Sequence, residues 1–480
     1  MCIIHWFRRD LRLLDNTALW HACRDSTRGI VPLFIFDDDI LKHPDTGAPI
    51  VAFMLDCLRH LRNDLRARGG DLILAHGRPA AELERIAQAT GASRVYYNKD
   101  YAPAALKRDR HVEKMLEKAG IQVRGFKDQV LFEEREILSA SRSEPLTVYT
   151  PYRNAWNKRL AQTGPLGPAP LSRPNLSFAA GLARAGSLEL PTAQLLGFDA
   201  DVNIDIPAGE SAGQELLRAF CSGALRTYPQ TRNLPAIEDG TSRLSPHLRH
   251  GTLSPRQCAH AVLQAGKNDP AFTAGAQAWL GELAWRDFFQ QILFNFPEVA
   301  TQPFKRPWRR YSFPANADGL LRWQEGTTGF PIVDAGMRQL ARTGWMHNRV
   351  RMITAMFLTK DLLIDYRRGE RWFMRSLIDG ETAQNNGNWQ WVAGCGTDAQ
   401  PYFRIFNPAR QSRTCDPGGK YIRRWCPELA PVPDEFIHEP HLMNRSMQQQ
   451  VGCRIGVDYP APMLDHAEAR KRALDFFKRR

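Results

Sequence analysis

The N-terminal part of the chain alternates short β-rich runs with helical patterns, which restricts this part to a layered α/β fold. The β-rich runs cover 2–7, 29–36, 71–77, 93–98 and 121–126, and helical patterns cover 51–70, 79–91 and 103–120. We therefore predict a five-stranded, parallel, Rossmann-like domain over residues 1–130. Its first strand is followed by FRRDLR instead of G-x-G-x-x-G, so any dinucleotide is expected to bind elsewhere.

The rest of the chain divides where the composition changes. Residues 131–213 are rich in Pro, Gly, Ser and Ala, which predicts an inter-domain linker. The aromatic and basic run YTPYRNAWNKRL at 149–160 indicates that this linker packs down. From 214 to 480 helical patterns dominate, and a basic helix is expected to run to the last residue. We predict a second, all-helical domain there, because 480 residues exceed what one core usually supports.

Composition narrows the choice of partner and compartment. Lys and Arg number 64 against 51 Asp and Glu, so the net charge is +13, which favours a polyanionic partner such as nucleic acid. Nine cysteines are scattered without a CxxC pair or a zinc-ligand spacing, so neither disulfides nor a metal site is predicted. No run approaches the ~18 apolar residues of a membrane span, and the N-terminus lacks a signal-peptide layout. We expect a cytoplasmic protein that makes no membrane contact.

One segment, residues 379–407, looks built for a site instead of a core. It combines carboxylates and side-chain amides with Trp389 and Trp391, and it lacks the apolar period of an ordinary core helix. Taken alone, a polar surface loop with two buried anchors would be the plainer interpretation. The same mixture of residue types recurs in GWMHNRVRM (344–352), GELAWRDFF (281–289) and TSRLSPHLRHGTLSPRQC (241–258).

These four segments, together with FRRDLRLLDN at 7–16, resemble the DNA photolyase and cryptochrome family over nearly the whole chain. The resemblance is closest to class I photolyases that repair cyclobutane pyrimidine dimers (CPDs), which are carbon–carbon lyases. It implies that excited, reduced FAD passes an electron to a dimer flipped out of double-stranded DNA, on a monomeric protein. A cryptochrome-type blue-light photoreceptor is the alternative, and a flavin-free DNA-binding module would leave Arg351, Asp379 and Asn385 without purpose.

The resemblance also implies which residues hold FAD. Hydroxyls and N–H groups at a predicted helix start could bind its phosphates, although without the resemblance a helix cap would be the better explanation. The positions that match these phosphate contacts are Tyr228, Thr241, Ser242, Leu244 and Ser245. The other matching cofactor positions are Trp279, Glu282, Arg286, Asn348, Arg351, Asp379, Glu381 and Asn385. Among them Arg351 is expected to pair with Asp379, Asn385 matches the amide next to flavin N5, and Glu381 stands where the family most often has Asp.

The lesion pocket is expected on the predicted helix at 276–297. There Glu282, Trp285, Arg286 and Phe289 share one face, although a buried ion pair with aromatic neighbours would look the same. By resemblance Glu282 hydrogen-bonds the dimer, and Trp285 and Trp391 form two walls of the pocket. The remaining expected DNA contacts are Arg232, Asn348, Arg349, Met352 and Arg404. Arg410 is a further candidate for a phosphate contact, and for each exposed arginine surface solubility is the alternative explanation.

Two expectations concern electron and energy transfer. The family passes electrons to oxidised FAD along three tryptophans, and ungapped spacing puts Trp389, Tyr366 and Phe313 at those positions. We therefore hypothesise a broken relay, or one rerouted through Trp323 or Trp372; a small gap would instead bring in Trp308 or Tyr311. The N-terminal domain should hold a second chromophore, with FIFDDDIL at 34–41 as part of its pocket. Because YYNKDYAPAALKRDR at 96–110 lacks the Asn-Glu pair of folate-binding relatives, deazaflavin or flavin is favoured over folate.

Overall fold

The computed structural model describes residues 1–165, 167, 174–199 and 202–478. Its strands are β1 (Cys2–Phe7), β2 (Ile30–Asp37), β3 (Ile73–Gly77), β4 (Ala92–Asn98) and β5 (Gln122–Phe126). The helices of this N-terminal part are α1 (Thr17–Asp25), α2 (Asp38–Leu41), α3 (Ala48–Arg66), α4 (Pro79–Thr90) and α5 (Pro103–Lys118).

The predicted N-terminal sheet is confirmed. Its five strands pair in parallel in the order β3-β2-β1-β4-β5. β1 and β2 are buried along their whole length, which explains why their sequences are almost continuously apolar. Because the strand order reverses at β1, the carboxyl end of β1 opens into the crevice where α/β domains usually bind ligands. The chain leaves this end through Arg8 and Arg9.

The described residues that follow β5 form helices joined by loops, and they add no further strand to a sheet. The helices, apart from short 3₁₀ turns and a π-helical turn at Phe357–Asp361, are α6 (Tyr149–Thr163), α7 (Glu210–Ser222), α8 (Tyr228–Thr231), α9 (Ser245–His250), α10 (Pro255–Asn268), α11 (Thr273–Asn295), α12 (Ala317–Glu325), α13 (Pro331–Thr343), α14 (Asn348–Met356), α15 (Tyr366–Ser376), α16 (Thr382–Ala393), α17 (Pro408–Cys415), α18 (Lys420–Trp425), α19 (Arg445–Val451) and α20 (His466–Lys478). The predicted helical domain is therefore confirmed, and the last two residues of the expected C-terminal helix lie outside the described residues.

Two glycines let the central helices approach closely. α16 packs against α11, α14 and α15. A Cβ added at Gly387 of α16 would lie 2.1 Å from the Phe289 ring of α11, and one at Gly369 of α15 would lie 2.2 Å from Trp389. Neither distance is possible for a real side chain, so both positions require glycine. This close packing brings the polar residues of α16 against its neighbouring helices.

The described parts of the predicted linker are packed down. Trp156 of α6 is fully buried, and its indole N–H donates to the Asp287 carboxylate of α11 at 2.9 Å. The backbone N–H groups of Leu131 and Phe132 donate to the same carboxylate at 3.2 Å. Burial raises the pKa of Asp287 to about 6, and these hydrogen bonds act in the opposite direction. The linker is thus fastened to the helix that carries the expected lesion residues.

Several classes of feature are not found within the described residues. Each of their helices is too short or too polar to cross a membrane. They contain no group of three or more His, Cys, Asp or Glu side chains that could hold a metal ion. All nine cysteines are free thiols.

Candidate active site

The ion pair expected at the centre of the site is present. The Arg351 guanidinium of α14 donates to both carboxylate oxygens of Asp379, at 3.1 and 2.8 Å. The Ser245 hydroxyl, at the start of α9, donates to Asp379 at 2.6 Å. Asp379 is 8% exposed, whereas the Arg351 side chain is 23% exposed. The carboxylate is therefore fixed on one side by a fork of two hydrogen bonds, and its arginine partner remains open to a neighbouring molecule.

The expected phosphate-binding residues lie together around the start of α9. The Trp279 indole N–H donates to the Ser242 hydroxyl at 3.1 Å, and Trp345 donates to Ser245 at 3.4 Å. Thr241 and Ser242 are half-buried and Ser245 is exposed, so their hydroxyls are accessible. Leu244 is 1% exposed, so only its backbone could contact a ligand. Tyr228 is buried in the same hydrophobic cluster as Trp279.

Glu381 has different neighbours from those expected of a flavin contact. It belongs to a group of charges that we call the interdomain cluster: Arg9, Asp100, Arg249, Arg286 and Glu381. Arg9 forms ion pairs with Glu381 and, at 3.3 Å, with Asp100. Arg286 lies 3.6 Å from Glu381.

The surroundings of Glu381 keep it ionised. The Gln290 amide donates to its carboxylate at 3.1 Å, and Arg249 donates to the neighbouring Gly380 carbonyl at 2.7 Å. Burial acts to raise the pKa of Glu381, but the positive charges of Arg9, Arg286 and Arg249 outweigh it and hold the pKa below its usual range. The carboxylate is therefore committed to arginines from both domains.

The expected site residues on α11 contact two different sets of partners. Glu282 accepts a hydrogen bond from Arg232 at 2.6 Å, and burial raises its pKa in spite of that arginine. Arg286, one turn further along, lies against Glu381 and donates to the Gln129 carbonyl. Trp285 is half-buried and stacks on Tyr149 with ring centroids 3.4 Å apart. Glu282 and Trp285, both expected at the lesion pocket, thus contact Arg232 and Tyr149, whereas Arg286 contacts Glu381 and Gln129.

The start of α14 presents the other expected lesion contacts. Asn348 is exposed, and Arg349 and Met352 are half-buried. Arg349 donates to the Asn233 side chain at 2.7 Å, which fixes its direction. The ring of His347 accepts the Arg349 N–H as a helix cap, and burial lowers the pKa of His347 to about 4. His347 is therefore neutral at physiological pH.

On α16 the amides are oriented by the preceding helix. The Asn385 side chain donates to the Glu370 carbonyl at 2.8 Å, and Asn386 donates to the Glu370 carboxylate at 2.9 Å. Burial raises the pKa of Glu370 to about 7, although the Asn386 hydrogen bond opposes this shift. Trp391, the second expected wall residue, is half-buried and follows near the end of the same helix.

The expected electron carriers separate into two groups. Trp389 has ring contacts with Phe373 at 5.0 Å and with Trp323 at 6.2 Å. Trp323 is fully buried and donates its indole N–H to the Thr354 carbonyl at 3.0 Å. Tyr366 is also buried, but its hydroxyl has no hydrogen-bond partner within the described residues.

Tyr366 belongs to the second group, which lines a surface cleft of about 310 Å³. Its other aromatic lining residues are Trp308, Tyr311 and Phe313. Tyr366 and Phe313, which the ungapped spacing selected as electron carriers, therefore line one cleft. Trp308 and Tyr311, the candidates that a small gap would select, line the same cleft. Trp372, the other proposed detour, is half-buried on α15.

Sequence reasoning missed the partners that hold the site in place. Arg9, Arg249 and Gln290 surround Glu381, and Glu370 orients Asn385. Arg9 lies in FRRDLR, so a usable signal existed, but nothing in the local pattern indicates that it reaches a carboxylate 372 residues away.

Unsatisfied polar atoms test whether a polar cofactor fits here. The buried atoms Arg286 Nη2, Gln290 Oε1, Gln384 Oε1 and His347 Nε2 have no hydrogen-bond partner within the described residues. Such atoms are costly unless a ligand or water satisfies them. Together with the open hydroxyls near α9 and the Arg351–Asp379 pair, they fit a ligand as polar as FAD.

Comparisons with known proteins agree with this geometry. Residues 3–174 match the family model described as DNA photolyase, and residues 279–479 match that described as the FAD binding domain of DNA photolyase. The chain is 41% identical to the deoxyribodipyrimidine photo-lyase of Halobacterium salinarum, over 99% of this chain and 98% of that protein.

Solved structures of similar proteins share the whole fold. A bacterial class III photolyase from Agrobacterium tumefaciens superposes with a TM-score of 0.90 at 35% identity, covering 99% of this chain and 97% of that chain. An archaeal photolyase from Sulfolobus tokodaii with two FAD molecules superposes with a TM-score of 0.82 at 31% identity, covering 100% of both chains.

Proposed function

Because the chain belongs to the DNA photolyase family, we propose that it repairs cyclobutane pyrimidine dimers in DNA under blue or near-ultraviolet light. The observation that carries this proposal is the convergence of α11, α14 and α16, since α16 packs against the other two. Their packing supports a single site, which Glu282 and Trp285 of α11, Arg351 of α14, and Asn385 and Trp391 of α16 would line. No nucleophile, catalytic dyad or metal is required, because electron transfer needs an oriented substrate and a suitable field.

The residues near Asp379 would hold FAD. When bound and reduced, FAD supplies the electron that opens the cyclobutane ring. The Arg351 guanidinium would stabilise negative charge beside it. Asn385 offers a neutral amide whose direction is fixed by Glu370, and the hydroxyls of Thr241, Ser242 and Ser245 would contact the phosphates.

The other side of the site would hold the dimer. Trp285 and Trp391 offer half-exposed rings, and stacking of a base on such a ring contributes about 1–3 kcal/mol. Glu282, held by Arg232, would hydrogen-bond the bases. Asn348 and Met352 would complete the contact. A damaged pair stacks poorly, so it is also the pair that costs least to flip out.

Two finer proposals concern the rest of the chain. We propose domain boundaries at residues 130 and 213, with the linker between them. We also propose a second chromophore in the N-terminal domain, with flavin or deazaflavin favoured over folate. The Sulfolobus tokodaii photolyase with two FAD molecules supports a flavin in such a role.

The test is light-dependent loss of dimers from DNA. Purified protein loaded with reduced FAD is mixed with an oligonucleotide that carries one thymine dimer, and the dimer is quantified after blue light or darkness. We expect loss in light only, and much less loss with Glu282→Ala. An oligonucleotide with a (6-4) photoproduct is the specificity control and should remain unchanged. Binding of the dimer without light-dependent loss would contradict repair and favour the photoreceptor.

A further inference from the structure

A tyrosine outside the expected site residues stacks on the first wall of the pocket. The rings of Tyr149 and Trp285 are 3.4 Å apart and nearly parallel, with 8° between their planes. Tyr149 is the first residue of α6, so it belongs to the chain segment between the two domains. It is 6% exposed, and its ring also meets Phe288 edge-on at 5.7 Å.

The stacked ring is fixed to the backbone of α11. The Tyr149 hydroxyl donates to the Gly281 carbonyl at 2.7 Å, one turn before Trp285. At about 100° per residue, Gly281 and Phe288 lie on one side of Trp285 around the helix, and Glu282 lies on the other. Tyr149 therefore supports the indole from the side away from the carboxylate expected to meet the lesion.

The backbone around Tyr149 is tied to the second wall of the pocket. The Tyr149 N–H donates to the Asp398 carboxylate at 3.1 Å, and the Thr397 hydroxyl donates to the Thr147 carbonyl. Both partners belong to the loop that follows α16, the helix that carries Trp391. Asp398 has a φ of +46°, a conformation uncommon for a residue other than glycine. The loop therefore holds a strained residue at the point where it contacts Tyr149.

We propose that Tyr149 is a positioning residue that holds Trp285 at a fixed spacing from the α16 loop, and so sets the width of the lesion pocket. The inference rests on the proposed function, because it assigns Tyr149 to the same pocket. It predicts that Tyr149 governs the preference for damaged over undamaged DNA, since only a lesion flipped into the pocket meets Trp285.

The chain provides a matched control on the same helix. Tyr152 is 1% exposed and packs against Phe288 with ring centroids 5.3 Å apart, but its ring contacts do not include Trp285. Replacing Tyr152 by leucine should therefore destabilise α6 as much as replacing Tyr149, without altering the support of Trp285. Asp398→Gly is a second probe, because glycine adopts positive φ freely while the carboxylate is removed.

The experiment measures dissociation constants in darkness for an oligonucleotide with one thymine dimer and for the same undamaged strand, using FAD-loaded full-length protein. We expect Tyr149→Leu to lower the preference for the dimer about tenfold, and Asp398→Gly about threefold. Tyr149→Phe keeps the stacked ring and should lower the preference by less than about twofold. Tyr152→Leu should lower the melting temperature as Tyr149→Leu does, with the preference unchanged.

The outcomes separate this inference from the proposed function. A wild-type preference that survives in Tyr149→Leu would overturn the inference and leave the proposed function intact. An equal drop in preference in Tyr149→Leu and Tyr152→Leu would also overturn it, because the effect would then be general destabilisation. A wild-type protein without any preference for the dimer would overturn both.

Discussion

Asp379 and Glu381 are two residues apart and equally buried, at 8% exposure, yet their surroundings differ. Glu381 belongs to the interdomain cluster, where it meets Arg9, Arg286 and the Gln290 amide. Asp379 pairs with one arginine, and that arginine is partly open. An ion pair alone therefore does not identify a charge that acts on a ligand. A carboxylate surrounded by arginines holds domains together, whereas one whose partner stays accessible can act on a ligand.

The largest expected difference between the two carboxylates is in stability. Glu381→Ala leaves Arg9 and Arg286 without their shared partner in a buried place, which costs about 3–5 kcal/mol of unfolding free energy. Asp379→Ala should cost about 1–2 kcal/mol, because water can reach Arg351, and should instead lower FAD retention. Glu439→Ala, which removes an exposed partner of Arg413, is the control and should cost less than about 1 kcal/mol.

The measurement is urea unfolding of each variant without FAD, followed by FAD titration of the folded proteins. Equal destabilisation by Glu381→Ala and Asp379→Ala would show that the two carboxylates contribute alike to stability, against this prediction. Weaker FAD binding in Glu381→Ala than in Asp379→Ala, at a temperature where both are folded, would mean that Glu381, and not Asp379, is the carboxylate that serves FAD binding.

The next largest effect concerns Glu370, which has amide partners instead of arginines. Its folded pKa of about 7 lies above the unfolded value near 4.3, so the folded state binds the extra proton between these pH values. Stability from this group is therefore present below about pH 4.3 and is lost as pH rises through about 7. Glu370→Gln removes this dependence, and we expect the variant to gain about 2 kcal/mol relative to wild type between pH 5 and pH 8.

Thermal unfolding of Glu370→Gln and wild type at pH 5, 6.5 and 8 would measure this gain. Glu381 is the reference carboxylate. Its pKa is lowered, so its contribution to the free energy of unfolding should be constant over these pH values. Parallel curves for wild type and Glu370→Gln would contradict the prediction.

The third prediction extends the comparison to aromatic side chains. Trp323 and Trp389 are buried with ring centroids 6.2 Å apart, whereas the proposed pocket walls Trp285 and Trp391 are half-buried. Tyr366 lacks a hydrogen-bond acceptor within the described residues, and burial raises its pKa, so losing a proton on oxidation is unfavourable. We expect photoreduction of oxidised, FAD-loaded protein to fall below about a tenth of the wild-type rate in Trp389→Phe and Trp323→Phe.

Photoreduction with an external thiol donor, followed by absorbance, is the measurement, with Tyr366→Phe and Trp372→Phe for comparison. Repair by protein that is already reduced should survive in Trp323→Phe, which separates the relay from the lesion pocket. Fast photoreduction in both the Trp323 and Trp372 variants, with slow photoreduction in Trp389→Phe, would exclude both detours and make Tyr366 the second carrier.

The smallest expected effect concerns charges that have no buried partner. Arg404 and Arg410 are exposed near the loop that follows α16, whereas Arg232 is engaged by Glu282 at 2.6 Å. Replacing Arg404 or Arg410 by glutamine should lower the salt dependence of DNA binding by about 0.9 log units per tenfold salt for each phosphate that the arginine neutralises. Arg59→Gln, on α3 of the N-terminal domain, should leave it unchanged. An unaltered slope after changing Arg232, Arg404 and Arg410 together would mean that DNA binds another face.

The sequence predicted the sheet well because burial on both faces leaves a direct trace in β1 and β2. It did not indicate that 382–393 is a helix, since the buried residues of α16 mix Asn386 and Gln390 with apolar ones. Those polar groups are satisfied by other elements; Gln390, for instance, donates to the Val299 carbonyl at 2.9 Å. Local periodicity cannot report such partners.

The candidate site, like the fold, was predicted from the sequence only in part. The Arg351–Asp379 pair was expected and is present, because the resemblance supplied both partners. The interdomain cluster and the Tyr149–Trp285 stack were not expected, because each joins segments far apart in the chain. Only the folded arrangement reveals that Tyr149 of the linker stacks on Trp285.

The ion pair between Arg9 and Glu381 also constrains the order in which the protein can mature on the ribosome. Its partners are 372 residues apart, so at 5–20 residues per second about 20–75 s pass between their synthesis. During that time the N-terminal sheet can form, and Arg9 can already pair with Asp100. The nascent domain then still lacks the carboxylate that completes this group of ion pairs. Its final docking must wait until the segment around Glu381 has emerged.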